Sequence, residues 1–254
     1  MRKSLFFMFG LAGVGYAGYR GFVEPWWRSW GFDPSETDRL LEGDELVPDA
    51  THFETRGITI AAPPARVWPW LVQMGFGRAG WYSYDQVDTS GRSAERIVPE
   101  WQSLSEGDAV PTHPRGGFVA KRIVPERALV LYLDDEMVRS WETDAAPAVG
   151  TPANLAAAGA FMTAAQPPEF AASWAFVLQP VGADRTRLIE RFRVRFGEAR
   201  PWNRVGLPLM GFGVFLMMRK QMLGIRERAE RAEPARSPIE EPPASPIEET
   251  AATG

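Results

Sequence analysis

Residues Ile58–Asp88 read ITIAAPPARVWPWLVQMGFGRAGWYSYDQVD, and the fold turns on this stretch. The alternation that ends at Ile60 begins at Phe53. Phe53, Thr55, Gly57 and Thr59 point one way and Glu54, Arg56, Ile58 and Ile60 the other, which predicts a first strand. Pro63-Pro64 stops it. Pro64 suits the first turn of a helix, where its missing N–H would be unbonded anyway, and Ala65–Met74 carries Val67, Trp70, Leu71 and Met74 on one stripe. Pro69 lies near enough to the helix start to bend it without forbidding it. Gly75, Gly77 and Gly80 end this helix, and a second short helix is predicted over Trp81–Val87. Trp81, Tyr82 and Tyr84 fall there with Arg78, Asp85 and Asp88, a composition that suits a pocket wall as well as a packed core.

Strands follow. Asp108–Pro111, Gly117–Val124, Ala128–Leu133 and Val138–Thr143 read as short ones, while Ile97–Leu104 reads as loop with a short strand. Asp144–Phe170, rich in Ala, Pro and Gly, reads as an inserted loop or weak helix. Ser173–Pro180 places Trp174, Phe176 and Leu178 on one face, and Gly182-Ala183-Asp184 turns the chain into Thr186–Phe196. That strand sets Leu188, Glu190, Phe192, Val194 and Phe196 against Arg187, Arg191, Arg193 and Arg195, whose face is expected toward solvent. A long helix over Trp202–Arg231 closes the domain, because an antiparallel sheet needs a partner to bury its apolar face. Within it, Val205–Met218 is apolar nearly all round, too short to span a bilayer and expected to roof a cavity.

The two ends differ from this middle. Leu5–Val23 is apolar apart from Arg20, about the minimum for a membrane span, and Pro25-Trp26-Trp27 with Trp30 suits a membrane boundary. An N-terminal anchor, a cleaved secretory signal and a helix packed on the domain all remain open for residues 1–30, so membrane-associated, secreted and cytoplasmic locations stay open too. From Glu233 a Pro/Glu-rich tail repeats Ser-Pro-Ile-Glu-Glu and is too poor in apolar residues to form a core, so 232–254 are expected to be disordered.

The formal charge of −4 lies largely in the tail, with no basic face of the kind nucleic acid requires. The sequence contains no cysteine and only His52 and His113, which leaves no thiolate chemistry and no His-rich metal site. His113 is expected in an exposed loop and His52 on the approach to the first strand. No cofactor is called for: the Gly75-x-Gly77-x-x-Gly80 pattern follows a helix instead of a strand and is not a dinucleotide site.

Together TRGITIAAPPARVWPWLVQMGFGRAGWYSYDQVD, SWAFVLQP with TRLIERFRVRF, and RKQMLGIRERAE resemble the START/polyketide-cyclase-like (SRPBCC) superfamily, in particular actinobacterial-type members of unassigned function. The resemblance implies an α+β helix-grip domain over 44–231: a curved antiparallel sheet wrapped around a long C-terminal helix. It further implies a cavity between them for a lipid or other apolar ligand, and it brings no catalytic signature. On this reading the candidate ligand-binding residues are Arg78, Trp81, Tyr82, Tyr84, Asp85, Trp141, Trp174 and Glu190. Each also has a structural reading: the aromatics as core, Arg78 and Asp85 paired with each other or with caps, and Glu190 in a salt bridge. Glu190 is the weak catalytic candidate, since a carboxylate on an apolar strand face needs a partner or a raised pKa. Non-catalytic binding stands ahead of a cyclase- or hydratase-type enzyme and of a membrane-associated interaction module.

Overall fold

A computed structural model describes residues 13–32, 39–88, 91–114, 116–143, 170–196 and 203–231, with backbone alone at 87–88, 141–143 and 203–210. The start of the apolar N-terminal run, most of the Ala/Pro/Gly-rich insertion and the acidic tail lie outside the described residues.

The architecture is α+β. Strands β1 (His52–Ile60), β2 (Ala109–His113), β3 (Gly116–Val124), β4 (Ala128–Asp134), β5 (Ala171–Val181) and β6 (Arg185–Arg195) form one open antiparallel sheet in the order β1-β6-β5-β4-β3-β2. Its helices are α1 (Glu24–Arg28), α2 (Pro64–Val72), α3 (Asp85–Asp88), α4 (Asp135–Thr143) and α5 (Asn203–Glu230). This order is consistent with a helix-grip arrangement. Gly182, at φ +72, closes the tight β5–β6 hairpin, and β1 then pairs back onto β6 with Ile58 opposite Leu188 and Arg56 opposite Glu190.

The alternation in β1 and β6 decides which side chains meet. Ile58, Ile60, Leu188 and Val194 join Trp174, Phe176, Leu129 and Leu131 on the inner face, packed against Val67 and Leu71 of α2 and Met218, Met222 and Ile225 of α5. Burying a side chain of this size contributes about 1.5–3 kcal/mol, so this layer is the main source of stability.

The opposite face is not solvent, which corrects the expectation for the arginines of β6. Phe32 and Leu41 pack there against Ala128, Val130, Ala175, Val177 and Ile189. Arg187 donates to Gly31 O and Arg193 to Val47 O (3.0 Å). Arg195 meets Asp49 (3.2 Å), and Arg191 meets Asp44 (2.6 Å) and Thr55 Oγ1 (2.9 Å). Arg191, Arg193 and Arg195 thus hold a strap, residues 39–49, across the back of the sheet, and Arg187 holds Gly31 beside it. At the β1 edge, ahead of this segment, Trp30 O accepts the Gly57 N–H (3.1 Å). Gly31 (φ +68) crosses there, and a Cβ would stand 2.1 Å from Gly57 O.

Several other expectations are corrected. Trp81–Val87 is not one helix: only Asp85–Asp88 is helical, because Gly80 (φ +76) and Tyr82 (φ +57) both take left-handed backbone. Val138–Thr143 is part of α4 instead of a strand: Asp134 Oδ1 caps the helix at Met137 N (2.9 Å) and Arg139 pairs with Asp135 one turn away (3.0 Å). Ile97–Leu104 contains a short 3-10 turn, Pro99–Trp101, and His113 ends β2, half-buried. Among the described residues no helix is long and apolar enough to cross a membrane. Trp27, read as part of a membrane boundary, is fully buried against Phe215 of α5 at 6.0 Å between rings.

Candidate functional site

The inner face at the β1–β6–β5 junction brings together the groups that carry chemistry. Glu190 is fully buried. Its Oε1 accepts the Trp174 indole N–H at 2.7 Å, and its Oε2 has no hydrogen-bond partner among the described residues. The obvious partner, Arg56, stands directly opposite on β1 but is committed elsewhere. Its guanidinium donates to Glu54 in its own strand, to Trp27 O (3.1 Å) and to Met218 Sδ (2.9 Å), between the Trp27 and Phe215 rings. Glu54 needs that charge because it is buried as well.

The two carboxyls diverge accordingly. Burial pushes Glu190 up to about 7, against the opposing pull of Arg56 and the Trp174 hydrogen bond. Burial acts on Glu54 too, but the hydrogen bond from His52 and the charge of Arg56 outweigh it and hold Glu54 below the ordinary range. His52 is oriented by its neighbours. Arg28 can only donate, so Nδ1 accepts (2.8 Å), leaving Nε2 to carry the proton toward Glu54 Oε1 (2.9 Å). Arg28 in turn pairs with buried Glu24 at 2.6 Å. An ionic chain therefore runs from α1 through β1 and stops one residue short of Glu190.

Aromatic rings surround the carboxyl. Trp174 stacks on Trp81 at 5.2 Å and lies edge-on to Phe118 and Phe192 at 5.6 and 6.2 Å. Trp81 reaches this place because Tyr82 is fixed behind it. The Tyr82 hydroxyl donates to Trp70 O (3.1 Å) and accepts from Gln73 Nε2 (2.9 Å), and burial pushes its pKa up. Tyr82 N–H donates to Ser93 Oγ (3.1 Å), and the Arg228 guanidinium lies over the ring at 4.8 Å. Gly224 of α5 lets the helix approach: a Cβ there would stand 2.3 Å from Tyr82 O.

Of the residues singled out from sequence, Trp81, Trp174 and Glu190 come together. Tyr82 is buried but faces Gln73 and Trp70 behind the loop. Arg78 donates to the carbonyls of Val72 and Trp101, both at 3.1 Å, and Asp85 accepts from Ser93 Oγ at 2.6 Å, so both serve to hold the loop. Tyr84 is largely exposed, and Trp141 lies on α4, where the backbone alone is described. Sequence reasoning missed Arg56, Glu54 and Gln73. The first two were legible as charges on the same strand face as Ile58 and Ile60. Gln73 was not, since its acceptor role toward Val98 N and Gln102 Nε2 depends on loops that no periodicity marks.

Among the described residues no group of three or more His, Cys, Asp or Glu side chains could hold a metal. A half-open depression of about 320 Å³ lies away from this site, lined by Arg39, Glu42, Arg127 and Val177–Pro180.

No protein-family model matches the sequence, and no curated protein matches it. Several solved structures resemble the chain. A protein from Mesorhizobium loti is 13% identical with a TM-score of 0.36, covering 72% of this chain and 99% of its own. A conserved protein from Geobacillus kaustophilus is 12% identical with a TM-score of 0.39, covering 70% and 95%. A polyketide-cyclase-like protein from Corynebacterium glutamicum is 13% identical with a TM-score of 0.24, covering 70% and 86%. Likenesses this remote assign neither a ligand nor an activity.

Proposed function

We propose that this chain is a START/polyketide-cyclase-like helix-grip protein, of the actinobacterial type its sequence resembles, that binds an apolar small molecule or lipid without transforming it. The binding place is the inner face at Trp81, Trp174 and Glu190. The observation that carries the reading is the buried Glu190 carboxyl, with one oxygen held by Trp174 and the other without a partner among rings. A buried polar group left unpaired costs about 1–3 kcal/mol, and a ligand's hydrogen-bond acceptor would recover that from the protonated acid. In the structure the Trp81 ring covers Trp174, so the ligand's apolar body takes the place of Trp81 and the Gly75–Gly80 loop yields. Gly75, Gly77 and Gly80, all at positive φ, give that loop its conformational latitude. Arg78, Tyr82 and Asp85 position the loop on this reading, and no cofactor takes part. The partners are the apolar ligand and, through the N-terminal residues, a membrane.

Native mass spectrometry of the full chain, with titration of fluorescent fatty-acid, sterol and polycyclic aromatic probes, tests this. The expected result is a co-purified apolar adduct or saturable binding of one probe class. Affinity for an acceptor-headed ligand should fall about tenfold per pH unit above 7, as Glu190 loses the proton it donates. Glu190→Gln keeps a donor and should flatten that dependence. Absence of any adduct together with absence of saturable probe binding would discard the proposal.

One observation favours a second reading, a cyclase- or hydratase-type enzyme: an acid of pKa about 7 suits proton transfer at neutral pH. Turnover of a bound substrate that Glu190→Gln abolishes while binding persists would establish it.

A further inference from the structure

The apolar run of the N-terminus and the apolar half of α5 meet outside the sheet. The helical stretch 13–28 lies along α5, with Tyr19 against Phe212 (6.5 Å), Trp27 against Phe212 (6.5 Å) and Trp26 against Phe215 (5.5 Å). Gly211 makes room, since a Cβ there would stand 2.8 Å from the Trp27 ring. Packing uses only one side of each helix. Away from these contacts Val14 is 75% exposed, Phe22 82% and Leu216 42%, and Trp26, whose ring edges onto Phe215, is still 55% exposed. Five of the nine large apolar side chains exposed among the described residues, with Val23 the fifth, therefore belong to this pair. Of Val205–Met218, expected from sequence to roof a cavity, the side chains described are 211–218, where Phe215 and Met218 are buried against Trp27 and Arg56.

Charge is distributed to match. Arg219 and Lys220 follow Leu216 by three and four residues, on the same helix face, and both are exposed, with the Arg219 guanidinium over the Trp30 ring at 5.0 Å. Arg20 stands exposed between Val14 and Phe22. The only carboxylate within 13–28 and 211–220 is Glu24, and it is buried between Arg20 and Arg28. A protein partner of matching polarity would need acidic groups around an apolar centre. An anionic bilayer supplies both across its whole surface, with acyl chains for the rings and headgroups for the guanidinium and ammonium groups.

We propose that the outer face of the helix pair 13–28 and 211–220 docks shallowly on an anionic bilayer. Phe22, Trp26 and Leu216 enter the acyl boundary, and Arg20, Arg219 and Lys220 meet the headgroups. The proposal rests on the membrane part of the function above and replaces a spanning anchor with contact in the plane of the interface. It is independent of whether a ligand binds near Glu190.

Flotation of the full chain with phosphatidylcholine vesicles, with and without phosphatidylserine, tests it. The chain should float with the anionic vesicles, less so as salt rises, and alkaline carbonate should strip it from them. Leu216→Asp and Phe22→Ser should each reduce the bound fraction about tenfold, since each takes a large apolar side chain out of the acyl boundary. Both residues are exposed, so thermal melting should confirm an unchanged fold. Failure to float overturns the proposal. So does unaltered flotation of Leu216→Asp, because a span through the N-terminus alone would not sense α5. Loss of a self-associated species in the variants, without vesicle binding by the parent chain, would assign the face to a second copy. The ligand reading is scored separately by the mass adduct, so either reading can fail alone.

Discussion

Arg56 and Glu190 face each other across β1 and β6, yet the guanidinium serves Glu54, Trp27 and Met218. The cost falls on Glu190. An acid whose folded pKa is raised from 4.5 to about 7 binds its proton more tightly in the folded state. Its contribution to stability is therefore complete below pH 4.5, declines as pH rises toward 7, and is lost above that. Glu190→Gln, which keeps an acceptor for Trp174, should leave stability unchanged at pH 4 and raise it by about 2–3 kcal/mol at pH 8. Urea melts at the two pH values would show it, and equal effects at both would refute a protonated Glu190. Gly224 carries a prediction of another kind. A methyl there meets backbone, so Gly224→Ala should destabilise by about 1–3 kcal/mol although alanine is the better helix former. A neutral result in thermal melts would mean that the Tyr82 loop can retreat. That Glu190 faces inward was legible from strand alternation alone. That its Oε2 is left without a hydrogen bond was not, because the competition for Arg56 is decided by α1 and α5, far away in sequence.

Among the elements, the strap shows what a pattern can and cannot say. Alternation separates the arginines of β6 from the core face but is silent about what covers the other side. Segment 39–49 carries no periodicity, and its docking depends on specific acceptors: Asp44 and the carbonyls of Val47 and Pro48. The Arg191–Asp44 pair is buried on both sides. Asp44→Ala leaves a buried guanidinium with one fewer charge partner and should cost about 3–5 kcal/mol. Limited proteolysis should then cut first within 39–49, and unchanged protection there would mean that Arg193 and Arg195 suffice to hold the strap. The error at Val138–Thr143 has a similar source. Val138, Trp141 and Thr143 are good strand formers, and the stronger signal lay just upstream, in an aspartate cap followed by acidic residues in the first turn. At Trp81 the helix expectation failed because glycine at 80 and a left-handed Tyr82 permit a turn that composition does not reveal.

For the molecule as a whole, the sheet was the most legible part. The β5–β6 hairpin and the return of β1 onto β6 follow from alternation and one glycine turn. What joins the two ends of the chain was less so. Trp27 and Arg56 look for partners in α5, and the strap looks for partners in β6. Asp44 and Arg191 are separated by 147 positions, and Arg56 and Met218 by 162. This places a constraint on how the protein is made. The N-terminal helix, the strap and β1 leave the ribosome before β6 and α5, which supply their partners, so folding of the front half waits on the back. For most of translation Trp27, Phe32 and Leu41 stand without cover, and β1 stands without a neighbouring strand. Such long-range closure is slow and leaves apolar surface open to aggregation while it is pending. A ribosome paused before β6 would thus hold a nascent chain in need of a chaperone, and release from that need would come only with α5.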